Sequence, residues 1–225
     1  MKRKALILGA SGLVGGNLLE LLLDSGEYET VAALVRKPVG KSHGKLREYI
    51  VDFNRLEDFV ELFRVDDIYC CLGTTIKQAK TRENFRRVDY TYVVEAARLG
   101  SRMGARQFLV VTALGADARS KIFYNRVKGE VERDVSSLPF GSVHIFRPSL
   151  LLGDRGEKRP GEAAGTVLYG IFSFIFSGPL RKYRAIQAAT VARAMISAAG
   201  EGLSGVNIHD SQSMQLRYER EGTRV

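Results

Sequence analysis

The feature that most constrains this chain is a glycine run, Gly9-Ala10-Ser11-Gly12-Leu13-Val14-Gly15, set between segments of different period. Before it, Lys4 to Gly9 is a short apolar strand. After it, Leu13 to Ser25 carries apolar residues at helical spacing, and Thr30 to Val35 is a second apolar strand. Strand, tight glycine turn, amphipathic helix and strand make a βαβ unit, which requires a parallel sheet covered by helices.

The alternation continues. Strands are expected at Glu48 to Asp52, Asp67 to Leu72, Gln107 to Thr112, Ser142 to Phe146 and Gly205 to His209. Helices are expected after Asn54, where Glu57 three residues on suggests a capping box, and over Thr81 to Met103, Ser120 to Ser136 and Thr190 to Ala199. The pattern predicts an α/β fold: a single-domain Rossmann architecture, a doubly wound, mostly parallel sheet of about seven strands with helices on both faces. One domain is expected over residues 1–225, with a cofactor-binding core at 1–150, a substrate or lid region at 151–210 and a C-terminal tail at 211–225, of which Arg217 to Val225 reads as frayed.

Composition narrows the function classes. The 225 residues are 45% hydrophobic and 26% charged, as in an ordinary soluble domain. The net charge of +9 comes from basic residues spread along the chain among 25 acids, with no nucleic-acid motif, so no nucleic-acid partner is expected. Cys70 and Cys71 are adjacent in an apolar run, which argues against a disulfide framework. The basic start, Met1 to Lys4, is followed by an apolar run that the glycine loop breaks at once, so no export signal is read and a cytoplasmic location is expected. His43, His144 and His209 have no metal spacing, and no metal is predicted.

A glycine loop between a strand and a helix suits a pyrophosphate, because the backbone can approach closely and the helix N-terminus offers free N–H groups. Gly9, Ser11, Gly12, Leu13, Val14 and Gly15 are therefore candidate cofactor contacts. In folds of this kind that take NAD, an acidic residue about 20 positions further on bonds the ribose 2′-hydroxyl. Here that place holds Arg36, followed by Lys37, and a guanidinium is the natural partner of a 2′-phosphate, so NADP(H) is expected over NAD(H). At the third strand's end Asp52 and Phe53 are candidates for the adenine, although Asp52 has an equal reading as a helix start.

Tyr124 and Lys128 stand four apart, one turn along a helix face. An ammonium beside a phenol favours phenolate and suits it to acid/base chemistry, typically worth about 10²–10⁴-fold in rate. The spacing alone is common, but this pair follows the fifth strand, with Thr112 ending that strand at the sheet edge where such folds bind ligands.

Together these residues resemble the atypical short-chain dehydrogenases/reductases, and are most similar to the Tat-interacting-protein-like oxidoreductases and their bacterial relatives. The resemblance rests on the Gly9/Gly12/Gly15 loop, Leu34-Val35-Arg36, Cys71 to Thr75, Phe85 to Asp89, Thr112 to Asp117, Tyr124 to Glu132 and Phe146-Arg147-Pro148. It implies that Tyr124 donates or accepts the proton, that Lys128 holds the nicotinamide ribose and tunes Tyr124, and that Thr112 orients the substrate carbonyl. It further implies that Leu72, Gly73 and Thr74 line the cofactor path and that Pro148 borders the nicotinamide. Two positions depart from the pattern: Thr112-Ala113 stands where serines are usual, and Asp89 stands near where longer relatives carry asparagine.

The expected activity is an NADP(H)-dependent oxidoreductase acting on a small-molecule carbonyl or alcohol, as monomer or homodimer. The alternative is an NADP(H)-binding regulatory or scaffold protein with little turnover. Ala163 to Leu180 carries no charge, but Gly165, Gly170, Gly178 and Pro179 interrupt it. It reads as a lid, a dimer surface or, less favoured, a peripheral membrane contact rather than a span.

Overall fold

A computed structural model describes residues 2–153 and 184–222. Its centre is β1 (Arg3–Leu8), whose Ala5, Leu6, Ile7 and Leu8 are fully buried. A strand buried on both faces reads as a continuous apolar run, and here the period of two divides it. Ala5 and Ile7 join the core on one face of the sheet, Leu6 and Leu8 the core on the other.

The first core is closed by α1 (Leu13–Asp24), through Leu18, Leu19, Leu22 and Leu23, and by α6 (Ala188–Gly200), which packs along α1. The second is closed by a 3₁₀ segment (Phe53–Phe63), α4 (Tyr92–Arg102) and α5 (Phe123–Ser136). Between α1 and α4 come β2 (Tyr28–Val35), β3 (Leu46–Ile50), β4 (Asp67–Cys70) and the short helices α2 (Ile76–Ala79) and α3 (Arg82–Arg86). β5 (Gln107–Val111) and β6 (Ser142–Arg147) flank α5 in the chain, and β9 (Gly205–Asp210) follows α6. The seven-stranded sheet has the order β3-β2-β1-β4-β5-β6-β9, every pair parallel. The strand order reverses between β1 and β4, and ligands of doubly wound sheets bind beyond the strands' C-terminal ends at that point. β7 (Leu151–Leu152) and β8 (Ile186–Gln187) form a small separate pair.

Three local expectations are corrected. The capping box at Asn54 and Glu57 is replaced by Asp52, whose Oδ1 accepts from the Asn54 N–H at 2.9 Å, while Glu57 reaches Arg102 on α4 instead. The segment it starts is 3₁₀ rather than α, with non-helical backbone at Arg55 and Phe59. The expected helix from Thr81 to Met103 is interrupted by a π turn at Arg87–Thr91. The supposed tail is a helix, α7 (Ser211–Gly222): Asp210 Oδ1 accepts from the Ser213 N–H at 2.8 Å, Ser211 bonds Ser149, and Met214 is buried.

A buried imidazole chain ties the edge strand to its neighbour. His144 Nδ1 lies 3.1 Å from His209 Nε2, Ser142 Oγ is 2.8 Å from His144 Nε2, and the His209 ring stacks on Phe146. Burial, then the neighbouring His209, pushes His144 down to about 4, and burial lowers His209 as well. An unfolded imidazole takes its proton near pH 6.5. The folded state resists protonation, so this contribution is complete above about pH 6.5 and is lost as the pH falls toward 4. Urea denaturation at pH 7 and pH 5 should show the loss, and His144→Gln should flatten the difference.

Candidate functional site

The glycine loop follows β1 at the switch point. Gly9 has φ +86, and a Cβ there would lie 2.6 Å from the Cys71 carbonyl carbon, beside the end of β4. A Cβ on Gly15 would lie 2.1 Å from the Gly9 oxygen, so α1 can meet the loop only through glycine. Gly12 is the N-cap of α1 and lends no side-chain bond, while its N–H donates to Gly9 O at 2.9 Å. Ser11 is exposed, Val14 is buried, and Leu13 lies against Gly153.

Arg36 and Lys37 are exposed just beyond β2, on the rim of the same edge. Asp52 and Phe53 follow β3. Asp52 Oδ1 is occupied as a helix cap, also accepting from Asn54 Nδ2 at 2.8 Å, and this holds its carboxyl below the usual range. Phe53 packs on Tyr92, ring centroids 5.6 Å apart, and both line a cleft of about 520 Å³ that also takes in Arg87.

Leu72, Gly73 and Thr74 leave β4 and pass over the buried side of α5. A Cβ on Gly73 would sit 3.4 Å from Asp89 Oδ1 and 3.6 Å from Lys128 Nζ. Lys128 is 5% exposed, and its Nζ lies 2.7 Å from Asp89 Oδ1. Burial works against its charge, but Asp89, with Tyr124 and Cys70, outweighs that and leaves its pKa raised. Tyr124, half-buried one turn earlier, packs against Phe85 with centroids 5.5 Å apart and the rings tilted at 47°. Replacing it by phenylalanine therefore keeps the packing and removes only the hydroxyl. Pro148 is buried after β6, its carbonyl accepting from the Leu114 N–H at 2.8 Å.

Thr112 is not where its expected role needs it. Its hydroxyl donates to Glu132 Oε1 at 2.6 Å, and the residue is 5% exposed. Glu132 on α5 also holds Arg147 through three bonds, Nε to Oε1 at 3.0 Å and to Oε2 at 3.2 Å, and Nη2 to Oε2 at 2.5 Å. A buried carboxylate needs all its donors, and Thr112 supplies one of them. Strand period carries the signal: Phe108 and Val110 face the core under α5, and Thr112 continues that face. Ala113, next along, has no hydroxyl to offer. Sequence reasoning also missed Asp89 as the partner of Lys128. The signal was an acid at the same helix spacing as buried Phe85 and Val93.

A parallel sheet of this order, with a glycine loop at its switch point and a Tyr/Lys pair on the helix after β5, defines a dinucleotide-binding Rossmann protein of the short-chain dehydrogenase/reductase type. Comparison with known proteins agrees. Residues 5–134 match the NAD dependent epimerase/dehydratase family, and the chain belongs to that family. It is 34% identical over 199 residues to Protein HTATIP2 of Rattus norvegicus, covering 87% of this chain and 80% of that protein. It is also 34% identical over 206 residues to "Protein fmp52, mitochondrial" of Aspergillus clavatus, covering 88% of each. Among solved structures it resembles MoeE5 in complex with UDP-glucuronic acid and NAD, with TM-score 0.70 and 19% identity over 91% of this chain and 75% of that one. It likewise resembles the Bordetella bronchiseptica enzyme WbmH in complex with NAD⁺, with TM-score 0.69 and 16% identity over 94% of this chain and 76% of that one. The expected cytoplasmic location is overturned: the fungal relatives are named mitochondrial, and unpaired cysteines do not distinguish the two compartments. Among the described residues, no helix is long and apolar enough to cross a membrane. Ala163 to Leu180 lies outside the described residues.

Proposed function

We propose that this protein is an NADP(H)-dependent oxidoreductase that passes hydride between the nicotinamide and a carbonyl or alcohol carbon, with Tyr124 moving the proton. What carries the reading is Tyr124 one turn from a buried, charged Lys128 that sits 3.6 Å from the Gly73 Cβ position, at the C-terminal edge of the sheet. When bound, the cofactor supplies or takes the hydride. Gly9, Ser11, Gly12, Leu13, Val14 and Gly15 hold its pyrophosphate, Leu72, Gly73, Thr74 and Pro148 flank its path, and Lys128 holds the nicotinamide ribose. Phe53 borders the adenine, with Asp52 Oδ2 as the acceptor left beyond the helix cap. The test is a screen of NADPH with a panel of aldehydes and ketones, read by the loss of reduced-nicotinamide absorbance. Turnover is expected in the wild type and not in Tyr124→Phe.

The NADP(H) preference rests on Arg36 and Lys37, exposed where the second strand ends. A charge-assisted hydrogen bond is worth ~1.5–3 kcal/mol, or roughly 10- to 150-fold in affinity. Calorimetric titration should find Arg36→Ala weaker for NADPH by that factor and unchanged for NADH. Equal losses for both cofactors would remove the assignment.

One observation favours a second reading, an NADP(H)-binding regulatory or scaffold protein. The Thr112 hydroxyl is committed to Glu132 and Ala113 has none, so strand β5 ends without a hydroxyl for a substrate carbonyl. Tight NADPH binding without oxidation by any compound in the panel would favour that reading.

A further inference from the structure

Asp89 is a carboxylate with almost no access to water. It is 1% exposed and lies within the π turn Arg87–Thr91, on the buried side of the helix with Phe85 and Val93. Such turns concentrate at functional sites. Its Oδ2 accepts from the Thr74 N–H at 2.9 Å, from the loop after β4, and its Oδ1 is ion-paired with Lys128 Nζ at 2.7 Å, from α5. The groups facing the ammonium are therefore Asp89 from the π turn, Tyr124 from its own helix and Cys70 from β4.

An ammonium buried without a counter-charge gives up its proton readily, and an asparagine at residue 89 would offer a hydrogen-bond partner but no charge. We propose that Asp89 is the positioning residue of this site, its carboxylate keeping the Lys128 ammonium charged and fixed beneath Gly73, where the nicotinamide ribose is to be held. The inference rests on the catalytic reading of Tyr124 and Lys128 for its purpose, but the ion pair itself is testable without turnover. Held by helix α5 and the Asp89 carboxylate, the ammonium lies 3.6 Å from the Gly73 Cβ position. Through the same pair, the orientation of Lys128 depends on the β4 loop, because Thr74 orients Asp89.

The test uses full-length protein carrying ¹³Cε-lysine, with Lys128→Arg to assign the resonance, titrated by NMR without cofactor. In the wild type Lys128 should remain charged beyond the pH at which exposed lysines titrate. In Asp89→Asn its midpoint should fall by about two pH units or more, as buried lysines do. Asp89→Glu should restore most of the charge. The same resonance titrating alike in wild type and Asp89→Asn would overturn the proposal. If Asp89→Asn fails to fold, the double variant with Lys128→Met decides. Recovery of folding supports the compensation of a buried charge, and continued unfolding contradicts it.

Turnover provides the second readout. If Asp89 acts only through Lys128, Asp89→Asn should keep its rate at low pH and lose it as the pH rises through the new Lys128 midpoint, whereas a merely structural defect would lower the rate at every pH. Turnover retained by Tyr124→Phe beside a shifted Lys128 would remove the catalytic reading and leave the ion-pair role standing.

Discussion

Gly15→Ala should abolish NADPH binding, whereas Gly16→Ala, one residue later in the same helix, should leave it intact. Alanine inside a helix is ordinarily worth about 1 kcal/mol over glycine, so propensity alone predicts stabilisation at both positions. Contact decides otherwise at Gly15. Its Cβ would lie 2.1 Å from the Gly9 oxygen and 2.7 Å from the Gly9 carbonyl carbon, backbone atoms that cannot rotate aside. Either α1 moves off the sheet or the loop opens, and overpacking of this kind costs about 1–3 kcal/mol or more. Both responses displace the N–H groups of the proposed pyrophosphate site. At Gly16 the nearest atom to a new Cβ is Ala10 O at 3.6 Å, an ordinary contact. Melting temperatures of the two variants, with and without NADPH, check both halves. A ligand that binds the native state raises the melting temperature, and Gly15→Ala should show no such rise.

Tyr124→Phe should lower kcat about 10²–10⁴-fold while leaving the Kd for NADPH within a few-fold of wild type. The ring contact with Phe85 survives the change, so the folded state keeps its packing and loses one hydroxyl. The cofactor's expected contacts on the glycine loop, Arg36 and Lys128 are also untouched. A mutant that binds NADPH normally but turns over slowly has lost an interaction made in the transition state. A comparable rise in KM with unchanged kcat would instead place Tyr124 in substrate binding.

Much of this architecture could be read from residue patterns. The five inner strands were legible because both faces of the sheet are covered there, so runs such as Ala5 to Leu8 and Val31 to Val35 are apolar throughout and bounded by turns, whereas the edge strands β3 and β9 are largely exposed. The loop was legible because Gly9 and Gly15 answer to a steric demand of the backbone, which sequence records directly. What stayed hidden depended on partners distant in the chain. Thr112 was assigned by its place at a strand end, but its direction follows from Glu132, 20 residues on, and Arg147 beyond it. Asp52 and Asn54 each fit a helix start, and the Asp52 Oδ1 bond to the Asn54 N–H separates them. Helix α7 lacks apolar periodicity, because Met214 and the Ser211 bond to Ser149 hold it rather than an apolar stripe. Lys128 was recognised by its spacing from Tyr124, whereas its counter-ion entered only as an acid in place of asparagine.

These corrections bear on the chemistry. With the Thr112 hydroxyl committed to a buried carboxylate, the proposed reaction would leave orientation of a substrate carbonyl to Tyr124. In the proposed reaction the proton would then move through Tyr124, with Lys128 and Asp89 behind it, and activity should depend on the state of Lys128. The most direct measurement of the central claim follows deuterium from NADPH labelled at nicotinamide C4, incubated with the carbonyl panel and analysed by mass spectrometry. The account predicts deuterium on the carbinol carbon of a product, present with the wild type and absent with Tyr124→Phe. Saturating NADPH with no label in any product would contradict it and leave a nucleotide-binding protein without redox turnover.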